Sequence, residues 1–252
     1  MIVGGYYAAA GTFSDSAECI HLNAEGTEAV GEHCPDIPKK LAYPCFTDFH
    51  DTDGNRKFFL FGGSQSVSTS ASDQKTSFST SGWVLAESDF DPEDDDSWDN
   101  AVSTPDWTDF TMAYITCTAF KNSDGEEEIM IVGNNDGSNT LIYNPSDNEF
   151  RAGPSINLED DDLSMLVYMQ SSLYASTQVE NEVVLTGGYL VYHNADFTII
   201  QDKIYSKYTF KMTCPDGETD AANCPFEVQD VELKRGRHSH VTFHVPEAFP
   251  SC

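Results

Sequence analysis

Phe58-Phe59-Leu60-Phe61-Gly62-Gly63 is a short apolar run closed by a pair of glycines. The same pattern stands at Met1-Ile2-Val3-Gly4-Gly5, at Ile129-Met130-Ile131-Val132-Gly133-Asn134 and at Val183-Val184-Leu185-Thr186-Gly187-Gly188. The first glycines fall at 4, 62, 133 and 187, at intervals of 58, 71 and 54 residues. One glycine pair alone would be turn punctuation. Four of them, each behind a β-prone run, indicate a repeated strand. A unit of this length cannot cover both of its faces and has to stack on its neighbours.

The flanks of the runs agree. Phe46 to Phe49 is followed by His50-Asp51-Thr52-Asp53-Gly54-Asn55-Arg56-Lys57, and Ala113 to Phe120 by Lys121-Asn122-Ser123-Asp124-Gly125. Asp-Gly between two apolar runs is a strong hairpin signal, because glycine accepts the positive φ of a tight turn. Each glycine pair is then the far end of a hairpin. In the third unit a further strand follows at Asn139 to Tyr143, then the turn Asn144-Pro145-Ser146-Asp147-Asn148, then Phe150. About four strands per unit is the content of a propeller blade.

On these residues the chain resembles the kelch repeat family. Its pattern is Arg-x-x-His-Ser opening one strand, Gly-Gly ending the next, Tyr-Asp/Asn-Pro ending a third, then Asn-x-Trp. Arg235, His238 and Ser239 match the first element, in the last unit alone. The glycine pairs match the second, with Asn134 in place of one glycine; asparagine also tolerates a left-handed backbone. Tyr143-Asn144-Pro145 matches the third, and Asn148-Glu149-Phe150 the fourth, with Phe for Trp. The resemblance implies an all-β, kelch-type β-propeller of about four blades of antiparallel strands, either a closed ring or an arc of a larger propeller. It treats 1–252 as a single domain, with units beginning near 1, 58, 129 and 183. It implies a non-catalytic protein-binding module.

The chain has 13 basic and 42 acidic residues, a formal charge of −29. That balance argues against a basic groove for nucleic acid and against anionic membrane surfaces, and favours a basic protein partner or divalent cations. No run of about 20 apolar residues is present to insert in a membrane. Glu87 to Asp99 holds eight acids and no base, and Glu159-Asp160-Asp161-Asp162 is a second cluster. Like charges repel and belong on solvated loops. Long acidic loops on a rigid scaffold are the expected contact surface, and the first cluster is expected to add little to stability. Asp94, Asp95, Asp96, Asp160, Asp161 and Asp162 are weak candidates for collecting Ca²⁺; no other cofactor is indicated. Ser64 to Ser81 is expected to be a loop excursion.

Cys214 and Cys224 bracket a polar loop, and Cys19 and Cys34 enclose another polar stretch. Disulfides at both places suit an extracellular or secretory protein; free core thiols in a cytoplasmic protein are the other reading. Seven cysteines leave one over, assigned to Cys252. Met1 leads straight into a strand, so the chain is expected to be a fragment or trimmed domain. His238, His240 and His244 would share one face of a strand, as a zinc site requires, but the same spacing suits an ordinary strand. Asp51 to Asn55 starts like a calcium loop, yet Gly62 stands where an EF-hand needs its bidentate Glu. No serine elbow, phosphate loop or His-Glu-x-x-His is present. The alternatives are an oxidase or sugar-acting enzyme on the same scaffold and an acidic, calcium-collecting extracellular structural protein. The final expectation is that Met1–Gly5 pairs with His240–Val245, closing the ring.

Overall fold

The computed structural model describes residues 2–7, 12–23, 27–42, 44–66, 76–91, 97–103, 115–133, 140–154, 156, 174–179, 182–187, 189–193, 199–205, 209–215 and 218–230. Among these the chain is all-β, with antiparallel sheets and two short 3-10 turns, Glu87–Asp89 and Ala221–Asn223. It divides into two compact units, Met1–Thr108 with Met112–Tyr114, and Asp109–Thr111 with Ile115–Cys252.

In the first unit β1 (Ile2–Tyr7), β2 (Thr12–Leu22) and β3 (Ala29–Cys34) form a three-stranded sheet in that order. The second sheet uses β4 (Cys45–His50) and β5 (Arg56–Phe61). The chain then makes a separate hairpin of β6 (Ser64–Ser66) and β7 (Thr76–Phe78). It returns to complete the second sheet with β8 (Ser81–Ala86) and β9 (Asp99–Ser103). In the second unit β10 (Thr116–Lys121), β11 (Glu127–Val132), β12 (Thr140–Asn144) and β13 (Glu149–Ala152) form a plain meander. The last sheet starts with β14 (Tyr174–Val179) and β15 (Glu182–Gly187). A hairpin of β16 (Tyr189–His193) and β17 (Ile199–Tyr205) intervenes, and β18 (Thr209–Met212) and β19 (Phe226–Val228) finish the sheet.

The apolar runs are central strands. Phe58, Phe59, Leu60 and Phe61 are all buried, as are Ile129 to Val132, so neither run alternates. A strand covered on both faces loses the polar half of its pattern. Phe58 and Leu60 pack with Ala17, Leu41, Trp83 and Leu85, joining the first two sheets in one core. Phe59 and Phe61 stack on the other face, ring centroids 5.8 Å apart. In the second unit Phe120, Met130, Val132 and Ile142 pack against Val183, Leu185, Phe210 and Phe226. Each such side chain contributes roughly 1.5–3 kcal/mol of burial.

Both Asp-Gly sites are hairpin tips. β4 pairs with β5 from Cys45↔Phe61 to His50↔Arg56, and β10 with β11 from Thr116↔Val132 to Lys121↔Glu127. Gly54 and Gly125 take φ of 81° and 83°. Asp51 and Asn122 hold the tips, their Oδ1 atoms accepting from Asp53 and Asn55 N–H and from Asp124 and Glu126 N–H respectively.

The glycine pairs bring backbone close to backbone. A Cβ on Gly4 (φ +62°) would stand 2.6 Å from the Leu41 carbonyl oxygen. One on Gly63 (φ +92°) would stand 3.1 Å from the Ala42 carbonyl oxygen. The connector at Leu41 and Ala42 is bridged on one side to Ser14 and on the other to Ser64.

Three expectations change. Ser64 to Ser81 is not a plain loop: its described ends are β6 and β7, paired antiparallel, because the backbone leaving Gly63 is captured by Ala42. The first sheet shows three strands among the described residues, not four. The acidic segment is anchored at both ends. Trp98 is buried with its Nε1 donating to the Pro35 carbonyl at 3.5 Å, and Phe90 packs against the same core. Its described acids Glu87, Asp89, Asp91 and Asp99 are exposed, as expected. β1 pairs with β2; His240–Val245, the expected closing strand, lies outside the described residues.

Candidate functional site

In the second and third sheets the acid gathers at the end opposite the glycine pair. β5 runs from the Asp51–Asn55 tip to Gly62, and β8 runs back to the Glu87–Asp89 turn, where Arg56 bonds both Asp48 (2.9 Å) and Glu87 (3.3 Å). β11 runs from the Asn122–Glu126 tip to Gly133, and the turn between β12 and β13 returns beside that tip. In the fourth sheet the 213–225 segment likewise leaves β18 at the end away from Gly187.

Within the second unit this end forms a cleft of about 450 Å³. Its described lining holds six carboxylates, Asp124, Glu126, Glu128, Asp147, Glu149 and Asp220, against one cation, Arg151. Asn122, Ser123, Asn144, Phe150 and Thr219 complete the wall. The kelch-like turn shapes one side. Asn144 Oδ1 accepts from Ser146 N–H and its Nδ2 donates to Asp147. Asn148 takes φ 56°, and its Oδ1 accepts from the Tyr143 hydroxyl at 3.0 Å. The Tyr143 and Phe150 rings meet at 4.9 Å. Burial pushes the Tyr143 phenol up to about 12, so it remains a neutral donor. Pro145 sits in the turn, where it fits the fixed φ of a turn position.

Arg151 is already committed. Its guanidinium forks onto the buried Glu128 at 3.0 and 2.7 Å and lies 3.5 Å from Asp220. Burial works against its charge, but Glu128 and Asp220 outweigh that and hold it protonated. The fork satisfies a carboxylate that is 4% exposed, which would otherwise be costly to bury. With that pair neutral, the remaining cleft carboxylates leave it strongly negative. Glu218, beside the cleft, has its carboxyl lowered by the backbone N–H groups of Asp220 and Thr219.

Disulfides tie the edges. Cys214–Cys224 closes the loop that presents Asp220, and Cys19–Cys34 ties β2 to β3. Cys45 and Cys117 are disulfide-bonded as well. Such use of cysteine indicates an oxidising environment of the extracellular type.

The structure places Gly62, Gly63, Gly133 and Gly187 at the ends of apolar strands, Gly4 and Gly5 inside β1, where the expected strand end gives way to an irregularity between Val3 and Gly5, and Tyr143 and Pro145 at the end of β12 and in the turn that follows it. Asn134, Gly188, Arg235, His238, His240 and His244 lie outside the described residues. So do Asp94, Asp95, Asp96, Asp160, Asp161 and Asp162. Among the described residues no group of three or more His, Cys, Asp and Glu is placed to hold a metal. No described helix is long and apolar enough to cross a membrane. Sequence reasoning missed the Glu128–Arg151 pair; the signal was a glutamate two positions ahead of Met130 on the core face of an otherwise apolar strand.

No family model and no curated protein matches the chain. The solved structures similar to it include two at low identity. YjhT is 10% identical over 95% of this chain and 85% of its own, with a TM-score of 0.47. A RAG complex with one melted and one unmelted RSS is 12% identical over 94% of this chain and 68% of its own, with a TM-score of 0.44.

Proposed function

We propose that the protein is a non-catalytic binding module of the kelch-propeller type that works outside the cytoplasm and takes a basic protein partner at its acidic ends. The cleft beside Arg151 carries the reading. Its one described cation is neutralised by Glu128, while Asp124, Glu126, Asp147 and Glu149 stand on rigid hairpin turns. Carboxylates held on short turns present a fixed negative field, which draws a cationic surface in and orients it. The hydrogen-bonded turns lower the ordering cost on binding. The paired cysteines support the extracellular part.

An oligolysine peptide, titrated calorimetrically at low and at physiological ionic strength, tests it. Binding is expected at low salt and weakens as the Debye length shortens to about 8 Å. The Asp147→Asn, Glu149→Gln double variant is expected to bind severalfold more weakly. Absence of binding at low salt, or binding indifferent to salt, refutes the reading.

A further inference from the structure

Three serines of the chain are followed by acids at both the first and the third position: Ser88 by Asp89 and Asp91, Ser123 by Asp124 and Glu126, and Ser146 by Asp147 and Glu149. Their settings separate them. Ser88 spends its hydroxyl on Asp89, at 3.0 Å, inside the Glu87–Asp89 turn. Ser123 and Ser146 stand on two turns of the third sheet, one between β10 and β11, the other between β12 and β13. Both are exposed, as are the three residues that follow each. Asparagines fix the backbone beside them: Asp124 N–H donates to Asn122 Oδ1, and Ser146 N–H to Asn144 Oδ1. Neither serine hydroxyl has a partner among the described residues. Ser123 lines the acidic cleft, and Ser146 lies between Asn144 and Asp147, which line it too.

We propose that Ser123 and Ser146 are phosphorylated by an acid-directed serine kinase, and that their phosphates strengthen the hold of the cleft on a basic partner. The acids one and three residues beyond each serine give a basic kinase groove two charges to read. In the reaction the serine Oγ bonds to the γ-phosphorus of a nucleoside triphosphate. The bond from that phosphorus to the bridging oxygen breaks, the nucleoside diphosphate leaves, and the hydroxyl proton passes to the catalytic carboxylate of the kinase. The fold loses no hydrogen bond when either hydroxyl is modified. Each tip is tied by local turn bonds, so it can open to a kinase without disturbing the sheet. Each phosphate carries about −1.5 to −2 charges at neutral pH. The described wall of the cleft has no spare cation to absorb that charge, because Arg151 is already forked onto Glu128. The phosphate oxygens are then left to accept charge-assisted bonds from an incoming lysine or arginine. Repulsion from the neighbouring acids costs little on exposed turns, where solvent and salt screen it.

The effect on binding rests on the proposed preference for basic partners, and the test separates the two. The folded, oxidised protein is incubated with magnesium, ATP and a serine kinase selective for acids at the first and third following positions. Phosphorylated peptides are then located by mass spectrometry. Phosphate is expected on Ser123 and Ser146 ahead of Ser88. Glu126→Gln and Glu149→Gln should each slow labelling of its own serine severalfold. Oligolysine is next titrated at low ionic strength against the unmodified, the phosphorylated and the phosphatase-treated protein. Phosphorylation should tighten binding severalfold, and phosphatase treatment should reverse the gain. Lack of phosphate at either serine in the folded protein, or labelling indifferent to both glutamine variants, overturns the proposal and leaves the acidic reading standing. Phosphate on both serines with unchanged oligolysine affinity does the same. Failure of every form to bind oligolysine overturns both.

Discussion

The second and third sheets begin identically and end differently. Each opens with a hairpin of two six-residue strands, closed by an Asp-Gly turn with the same pair of backbone bonds, Asp51 and Asn55 matching Asn122 and Glu126. After the second strand they part. The second sheet throws out β6–β7 and a long acidic excursion; the third turns back sharply at Asn144 to Asn148. The difference shows what the strand scaffold demands. The apolar run and its turn fix the hairpin, and the later connection is free in length provided that it is anchored. In the second sheet Phe90 and Trp98 are the anchors, in the core. In the third, the side chains of Asn144, Tyr143 and Asn148 do it within the turn.

The largest expected effect tests the aromatic anchor. Trp98→Ala should cost about 3–5 kcal/mol and lower the melting temperature by roughly 10 °C. Deleting Glu93 to Asp96 should leave it nearly unchanged. If the deletion costs as much as the tryptophan, the acids themselves are structural and the comparison fails.

Next is the third sheet's ion pair. Arg151→Ala strands Glu128 in the core and should cost about 1–3 kcal/mol in denaturant unfolding, a range discounted because the arginine side chain is 35% exposed. Adding Glu128→Leu should restore most of the loss. If the double variant is no better than the single, packing by the arginine stem is what matters.

The smallest effect sharpens the likeness of the two tips. Asp51 has its carboxyl lowered by the Asn55 backbone N–H, with Lys57 3.2 Å away adding to it. A lowered carboxyl stabilises above its unfolded value of about 3.9, and that contribution is lost as pH falls through the lower folded value. Asp51→Asn copies the other tip, where Asn122 cannot titrate. It should flatten the pH dependence of stability below about pH 4 by removing the small contribution that the ionised carboxylate makes at neutrality. An unchanged acid profile would mean that the carboxylate is not what holds the tip.

The hairpins were legible because Asp-Gly and the apolar runs act locally: turn chemistry and β propensity name the element without its neighbours. Cys19–Cys34 and Cys214–Cys224 were legible because loop-bracketing spacing is itself local. What was not legible depends on contacts distant in sequence. Trp98 follows four acidic residues in six, and nothing near it reveals that Pro35 receives its indole N–H. Arg151 and Glu128 lie 23 residues apart, and only the register of three strands brings them together. The Ser-rich run after Gly63 looks like a linker by composition, yet a bridge to Ala42 makes its first residues a strand.

The connector at Leu41 and Ala42 touches both glycine ends of the first unit, and this has a consequence for how the chain can change over time. The exposed hairpin tips at Asp53-Gly54 and Asp124-Gly125 can lengthen outward into solvent. This one is a ruler: one added residue would shift the Leu41 carbonyl away from Gly4 and the Ala42 carbonyl away from Gly63 together. Related sequences should therefore vary freely in length across 67–75 and 92–96 while keeping a constant count between Cys34 and Cys45.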